Sequence, residues 1–269
     1  MTYSKLNKNL ITVALITGLM STSALAKQKL VSDALMPGDS DSKWVAGLTL
    51  GGLENPLAGE DSDAIGLADI NLEYRGETFF LAQDGIGVNL LRYKNTSTGF
   101  ILSGKTGFLH DNELYDDNDM LKGIEEREAT ADLGMYLIHN TDYGQFRIRA
   151  LEEITGEHKG HSADATFIAN FGSGDWRINP FVSVAYESKE LVEHFYGIST
   201  SEVTTELSAY QGDDTVNVSA GINARYNLTA NWELGLGASV TKLGEGISDS
   251  DLIEEDVLYS ASITANYNF

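Results

Sequence analysis

Apolar and polar positions alternate with a period of two through most of this chain. Along 215–228, Val216, Val218, Ala220, Ile222, Ala224, Tyr226 and Leu228 fall on one face; Asn217, Ser219, Gly221, Asn223, Arg225 and Asn227 fall on the other. Successive strand side chains point to opposite faces, so this pattern predicts β-strands. Residues 232–243 set Trp232, Leu234, Leu236, Ala238 and Val240 against Glu233, Gly235, Gly237 and Ser239, and residues 257–269 alternate up to Tyr267 and Phe269. Twelve such segments are predicted: 44–52, 64–75, 77–83, 85–93, 98–109, 128–140, 144–155, 162–171, 176–187, 215–228, 232–243 and 257–269.

A water-soluble sandwich alternates too, so alternation alone does not choose the fold. Strand length does: an ordinary globular strand has about 5–6 residues, whereas a tilted membrane strand needs about 9–11, as most of these have. The polar faces carry small uncharged residues with an occasional charge, as a wet barrel interior does. Trp44, Trp176, Tyr186, Tyr226, Trp232, Tyr267 and Phe269 sit at segment ends, where interfacial aromatic girdles belong. Backbone groups in lipid must all be paired, which forces such strands into a ring. The expected fold is therefore all-β: a closed antiparallel transmembrane β-barrel of about twelve strands, within a range of ten to fourteen, over 44–269.

Parity supplies a topology. With the C-terminus in the periplasm, the turns at 76, 94–97, 140–143, 172–175 and 229–231 are all short and periplasmic. The connections 53–63, 110–127, 156–161, 188–214 and 244–256 all face outward, together with a tight turn at Asp84 and Gly85. Long connections then share one side, as bacterial outer-membrane barrels require.

The N-terminus reads as an address. Lys5 and Lys8 precede an apolar run over 10–20 that is too short to cross a bilayer as a helix, and Ala24-Leu25-Ala26 offers a small-residue cleavage site. Residues 1–26 are expected to be a cleaved signal peptide and 27–43 a periplasmic N-terminal segment, which places the protein in the outer membrane of a Gram-negative bacterium.

Composition narrows the chemistry. There is no cysteine, which excludes disulfides, thiolate metal sites, thiol nucleophiles and a lipoprotein anchor. With 18 Lys+Arg against 40 Asp+Glu, the net charge of -22 excludes a nucleic-acid binder. The acids crowd into the outer connections: 244–256 alone holds Glu245, Asp249, Asp251, Glu254, Glu255 and Asp256. Such a rim is a solvated surface, or one that gathers divalent cations and, through them, lipopolysaccharide, or favours cations at a pore mouth. Asp116-Asp117-Asn118-Asp119 lacks the glycine and distal Glu of a calcium loop.

A barrel enzyme needs a His beside a Ser or carboxylates. The candidates are His110, beside Asp111 and near Glu113, and the pair His158 and His161, which could begin a metal site but lacks an evident third ligand. Arg147 and Arg149 should face the lumen, with Glu73, Arg75, Glu153 and Arg225 in the same space, as an ion-pair filling or as a selective constriction. No catalytic, cofactor or metal residue is assigned. The long 188–214 connection is able to fold into the opening.

The sequence also resembles the MipA/OmpV family of outer-membrane proteins, named for a member that interacts with the lytic transglycosylase MltA. The resemblance rests on Glu54-Asn55-Pro56-Leu57-Ala58-Gly59-Glu60-Asp61, on Phe79-Phe80 before Asp84-Gly85-Ile86-Gly87-Val88, and on Leu121-Lys122-Gly123. It continues through Asn179-Pro180, Phe195-Tyr196-Gly197-Ile198, Tyr210-Gln211-Gly212, Trp232-Glu233-Leu234 and the terminal Phe269. It departs at 244–256, which lacks a serine–proline step, and at Leu57, where an aromatic is common. The resemblance implies a non-catalytic scaffold barrel with murein hydrolase or synthase partners. The terminal strand ending in Phe269 resembles the signal read by the barrel assembly machinery. A narrow diffusion channel and a barrel enzyme acting on lipid or peptide are the other readings.

Overall fold

The computed structural model describes residues 20–22, 43–59, 64–110 and 118–269. The expected cleavage site, the segment 27–42 and the loop residues 60–63 and 111–117 lie outside the described residues. Twelve antiparallel strands form one closed ring: β1 Lys43–Glu54, β2 Ala64–Arg75, β3 Phe79–Ala82, β4 Gly85–Tyr93, β5 Thr96–Thr106, β6 Thr130–Thr141, β7 Gly144–Glu153, β8 His161–Ala169, β9 Trp176–Glu187, β10 Thr215–Asn227, β11 Trp232–Lys242 and β12 Val257–Asn268. Each strand pairs with its chain neighbours, and β12 closes on β1 from Ser260↔Leu53 to Asn268↔Val45. Closure satisfies backbone groups that hydrocarbon would leave orphaned. Among the described residues, no helix is long and apolar enough to cross a membrane.

Register aligns the lipid-facing side chains into bands. Leu50, Ile263 and Leu236 are cross-strand neighbours on three adjacent strands, and all three point outward and are exposed. The even strand number returns both chain ends to one end of the barrel, and an aromatic belt marks it. Trp44–Tyr74, Tyr74–Phe79, Trp176–Tyr226, Trp232–Tyr267 and Tyr267–Phe269 pair with ring centroids 4.7–5.2 Å apart. Turns at this end are tight. Thr229 closes one by accepting hydrogen bonds at its hydroxyl from the N–H groups of Asn231 and Trp232, 3.2 and 3.0 Å away.

One expectation is corrected. The turn at Asp84 and Gly85 is not an outer loop. The β3–β4 hairpin is short: β3 meets β2 only at Tyr74↔Leu81 and Arg75↔Phe80, and its tip stops part-way up the wall beside Ser103, whose hydroxyl donates to the Asp84 carbonyl at 2.7 Å. Asp84 carries an inward charge partnered by Arg147 and Arg149 of β7, and this holds the tip low. Gly87 permits the hairpin's inner packing, because a Cβ there would collide with the Phe80 ring. Two short pairings lie off the ring: Phe171–Ser173 along β9, and Met20–Thr22 parallel to Gly104–Thr106 of β5.

Candidate functional site

The inward positions of the strands build a lumen with two unlike halves. On β5–β8 they include the charged Lys105, Asp132, Arg147, Arg149 and Asp164, which interlock. Arg149 reaches Asp164 at 3.0 Å and Asp84 at 2.8 Å, with Arg147 3.6 Å from the same Asp84 carboxylate. Lys105 lies 3.5 Å from Asp132 and donates to the Ser162 hydroxyl at 3.3 Å. Charges taken out of water persist only when partnered this way. Beside them Phe80, Ala82, Ile101, Tyr136, Ile138 and Leu151 form a buried apolar cluster, with Phe80 edge-on to Tyr136 at 5.4 Å and the Tyr136 hydroxyl donating to Asn89. Arg147 and Arg149 thus face the lumen as expected, as an ion-pair filling. Glu73 pairs with Arg75 at 3.0 Å, and Arg225 donates to Asn179 at 3.1 Å.

The opposite half is lined by small hydroxyl residues. Ser219 bonds Thr241 at 2.8 Å, Ser239 bonds Ser260 at 2.7 Å, and Thr49 bonds Thr264 at 2.9 Å. Short side chains leave room that arginines would occupy, so Ser219, Ser239, Ser260 and Ser262 remain partly accessible.

Over both halves sits a cap made from the long connections. Leu53, Leu57, Leu109, Leu121, Leu191, Val192, Phe195, Tyr196, Ile198, Leu207, Ile247 and Leu252 share one buried cluster. The connection 188–214 enters it through the helix α1 Lys189–Tyr196, whose Leu191, Val192, Phe195 and Tyr196 are buried; a second, short helix, α2 Glu245–Ser248, adds Ile247. Apolar burial at about 25 cal/mol per Å² drives the loops together, and polar ties fix their register. The Ser250 hydroxyl donates to the Tyr196 carbonyl at 2.8 Å, the Ala58 N–H to the Leu252 carbonyl at 3.0 Å, and the Tyr210 hydroxyl to the Gly246 carbonyl at 3.0 Å. Arg127 pairs with Glu202 at 2.9 Å. Burial works against the Glu202 charge, but the Ser199 and Glu125 N–H groups and Arg127 outweigh it and hold the carboxyl below its ordinary range.

The histidines resolve as follows. The side chain of His110, and all of Asp111 and Glu113, lie outside the described residues. His158 is buried under α1, with its ring 5.3 Å from His194 and 5.9 Å from Phe195, and its Nδ1 accepts the Gly160 N–H at 2.9 Å. Burial first, then His194 and Lys105, pushes its pKa down to about 4. His161 instead packs at a tilt against Tyr186, with ring centroids 5.8 Å apart, so the two histidines of this hairpin point to different neighbours. Among the described residues, no three His, Cys, Asp or Glu side chains converge on a metal position. Sequence reasoning allowed 188–214 to fold into the opening but missed that the other connections join it in one cap, and it missed the roles of Lys105, Asp132 and Asp84. The apolar residues Leu191, Val192, Phe195, Tyr196 and Ile198 inside an otherwise polar connection were the available signal for the cap.

Comparisons with known proteins find relatives along most of the chain. The family model described as MltA-interacting protein MipA matches residues 46–269. The chain is 25% identical over 263 residues to outer membrane protein OmpV of Vibrio cholerae serotype O1, covering 96% of this chain and 97% of that one. It is 21% identical over 246 residues to the MltA-interacting protein of Escherichia coli K12, covering 91% and 98%. Among solved structures, an outer membrane channel from Pseudomonas putida F1 superposes with a TM-score of 0.41 at 11% identity, covering 87% of this chain and 99% of that one. Matched over the whole ring of strands from β1 to the terminal phenylalanine, the chain belongs to the MltA-interacting protein MipA family and is an outer-membrane β-barrel.

Proposed function

We propose that this barrel is a non-catalytic scaffold of the cell envelope that engages murein-remodelling enzymes rather than a general pore. The observation that carries this reading is the cap: a water-excluding core that takes Leu53 and Leu57, Phe108 and Leu109, Leu121 and Ile124, and the apolar residues of 191–207 and 243–258 lies over the mouth, above a lumen half filled by ion pairs. An open diffusion channel needs a wet path from end to end. A relative that carries the name MltA-interacting protein supports a murein hydrolase as the partner class. Such partners meet the periplasmic side, where residues 27–43 are the sizeable candidate segment. The acidic loops meet lipopolysaccharide through bridging divalent cations, and the terminal strand ending in Phe269 is the handle for barrel assembly.

The test pairs two measurements. The purified protein in planar bilayers is expected to give no unitary conductance, and crosslinked envelopes are expected to yield murein enzymes on pull-down. Steady cation-preferring currents without such partners would transfer the assignment to a second reading, a narrow solute channel. That reading is favoured by the hydroxyl-lined half of the lumen and the acidic loops.

A further inference from the structure

A second group of lumen charges sits at the end of the barrel that carries both chain ends, on the wall formed by β9, β10 and β11. Arg177 and Arg225 stand directly opposite each other on β9 and β10, and both face inward, Arg177 lying between outward Trp176 and Ile178. Like charges in facing register repel, and two asparagines draw these apart. Arg225 donates to Asn179, deeper in the lumen, at 3.1 Å; Arg177 donates to Asn227, nearer the rim, at 3.0 Å. Asn179 faces Asn223, four positions from Asn227, so the two guanidinium groups are held by amides about 13 Å apart along the strands. Glu233 of β11 lies 3.6 Å from Arg177, so the inward strand positions of this wall carry two guanidinium groups and one carboxylate at this end. The Arg177 side chain is 48% exposed and Arg225 is half-buried, which leaves both within reach of a ligand.

We propose that this wall binds a carboxylate-bearing peptide entering the lumen from the periplasm, the chemistry that murein stem peptides present. The assignment rests on the cell-wall reading above, to which it adds a contact with the wall polymer itself. Four features select this ligand. A planar guanidinium takes a carboxylate through paired hydrogen bonds, and two such groups at different depths suit a chain with more than one acidic group. The amides of Asn179 and Asn227 carry both donors and acceptors, as a peptide backbone requires. Phospholipid headgroups ring the barrel on the outside, at the level of the outward Trp176–Tyr226 pair, whereas these arginines face the lumen. The acids of the outer connections repel anions at the capped end and leave this end the attractive one.

The probe is the soluble disaccharide-tetrapeptide unit of murein, titrated by calorimetry into the protein purified from outer membranes and placed in zwitterionic nanodiscs. Arg177→Gln and Arg225→Gln are each expected to weaken binding about tenfold, and so is amidation of the peptide carboxylates. Arg177→Lys and Arg225→Lys keep the charge and are expected to bind at intermediate strength, which sets loss of the site apart from loss of the fold. Lys122→Gln, on an exposed outer loop, is expected to bind as the parent does. Absence of binding by the parent overturns the site, and so does equal affinity for the amidated probe or in both Arg→Gln variants. Loss of probe binding in nanodiscs of anionic phospholipid overturns it in favour of a lipid headgroup. Capture of murein enzymes from crosslinked envelopes separates this site from the scaffold reading: capture by a barrel that binds no probe overturns the site alone, and probe binding without capture overturns the scaffold alone.

Discussion

The carboxylate of Asp84, at the tip of the shortest hairpin in the ring, lies 2.8 Å from the guanidinium of Arg149 on β7. This contact reaches from the hairpin tip past β5 and β6 to β7 and holds the hairpin short of the outer rim. Arg149 also holds Asp164, so Asp84 binds one arginine that is already partnered and one, Arg147, that otherwise has little. Asp84→Asn leaves the buried Arg147 without a carboxylate and should therefore cost about 3–5 kcal/mol. The expected outcome is a lower temperature for loss of the compact form on unheated detergent gels; an unchanged temperature would remove the latch role.

Phe195 is the centre of the cap: His194 packs edge-on to it at 4.6 Å, and Gly107 makes room for its ring. Phe195→Ala should remove about 3–5 kcal/mol of packing. The loss falls on the loops, because the strand ladders below keep their own pairing. Limited proteolysis should then clip 188–214 faster while the trunk stays intact. Conductance events absent from the parent protein should also appear. A clipping rate equal to that of the parent would show that the cap does not depend on this ring.

Lipid-facing and lumen-facing neighbours should differ sharply in tolerance. Ile263 is 61% exposed, between outward Leu50 and Leu236, whereas Ser262 next to it faces the roomy hydroxyl-lined half. Ile263→Arg should destabilise by about 2–4 kcal/mol, the cost of a cation near the bilayer midplane, while Ser262→Arg should fold with near-parental yield. Equal folding yields in liposomes for the two variants would contradict the assigned faces.

Acid should loosen the cap at His158. Its pKa is pushed down to about 4 by burial, by His194 and by Lys105, against the opposing pull of Glu153 and Glu187. The neutral ring is the folded form, so the associated stability is complete above the ordinary histidine pKa near 6.5 and falls away as pH drops from there through about 4. Protease sensitivity of 188–214 should rise between pH 7 and pH 4.5, and His158→Asn should flatten that rise. A slope unchanged by this substitution would place the sensitivity elsewhere.

Much of the wall was readable from the residues. Period-two alternation located all twelve strands, and the row from Val216 to Leu228 faces lipid as its side chains required. A barrel strand's two faces meet different solvents, so local order alone encodes which way each residue points. The family resemblance was legible for a related reason, since its motifs lie in turns and strand ends whose order survives in the chain.

Tertiary structure decided what lies inside and above that wall. Asp84 looked like part of an outer turn, because nothing in its neighbours' sequence reveals an arginine 65 residues away on β7. Phe195, Leu57 and Leu252 come from separate connections, and only closure of the ring brings them within reach of one another to exclude water. Alternation records which medium a side chain faces; it carries no account of which distant side chains share that medium, and that sharing is what makes a latch and a cap.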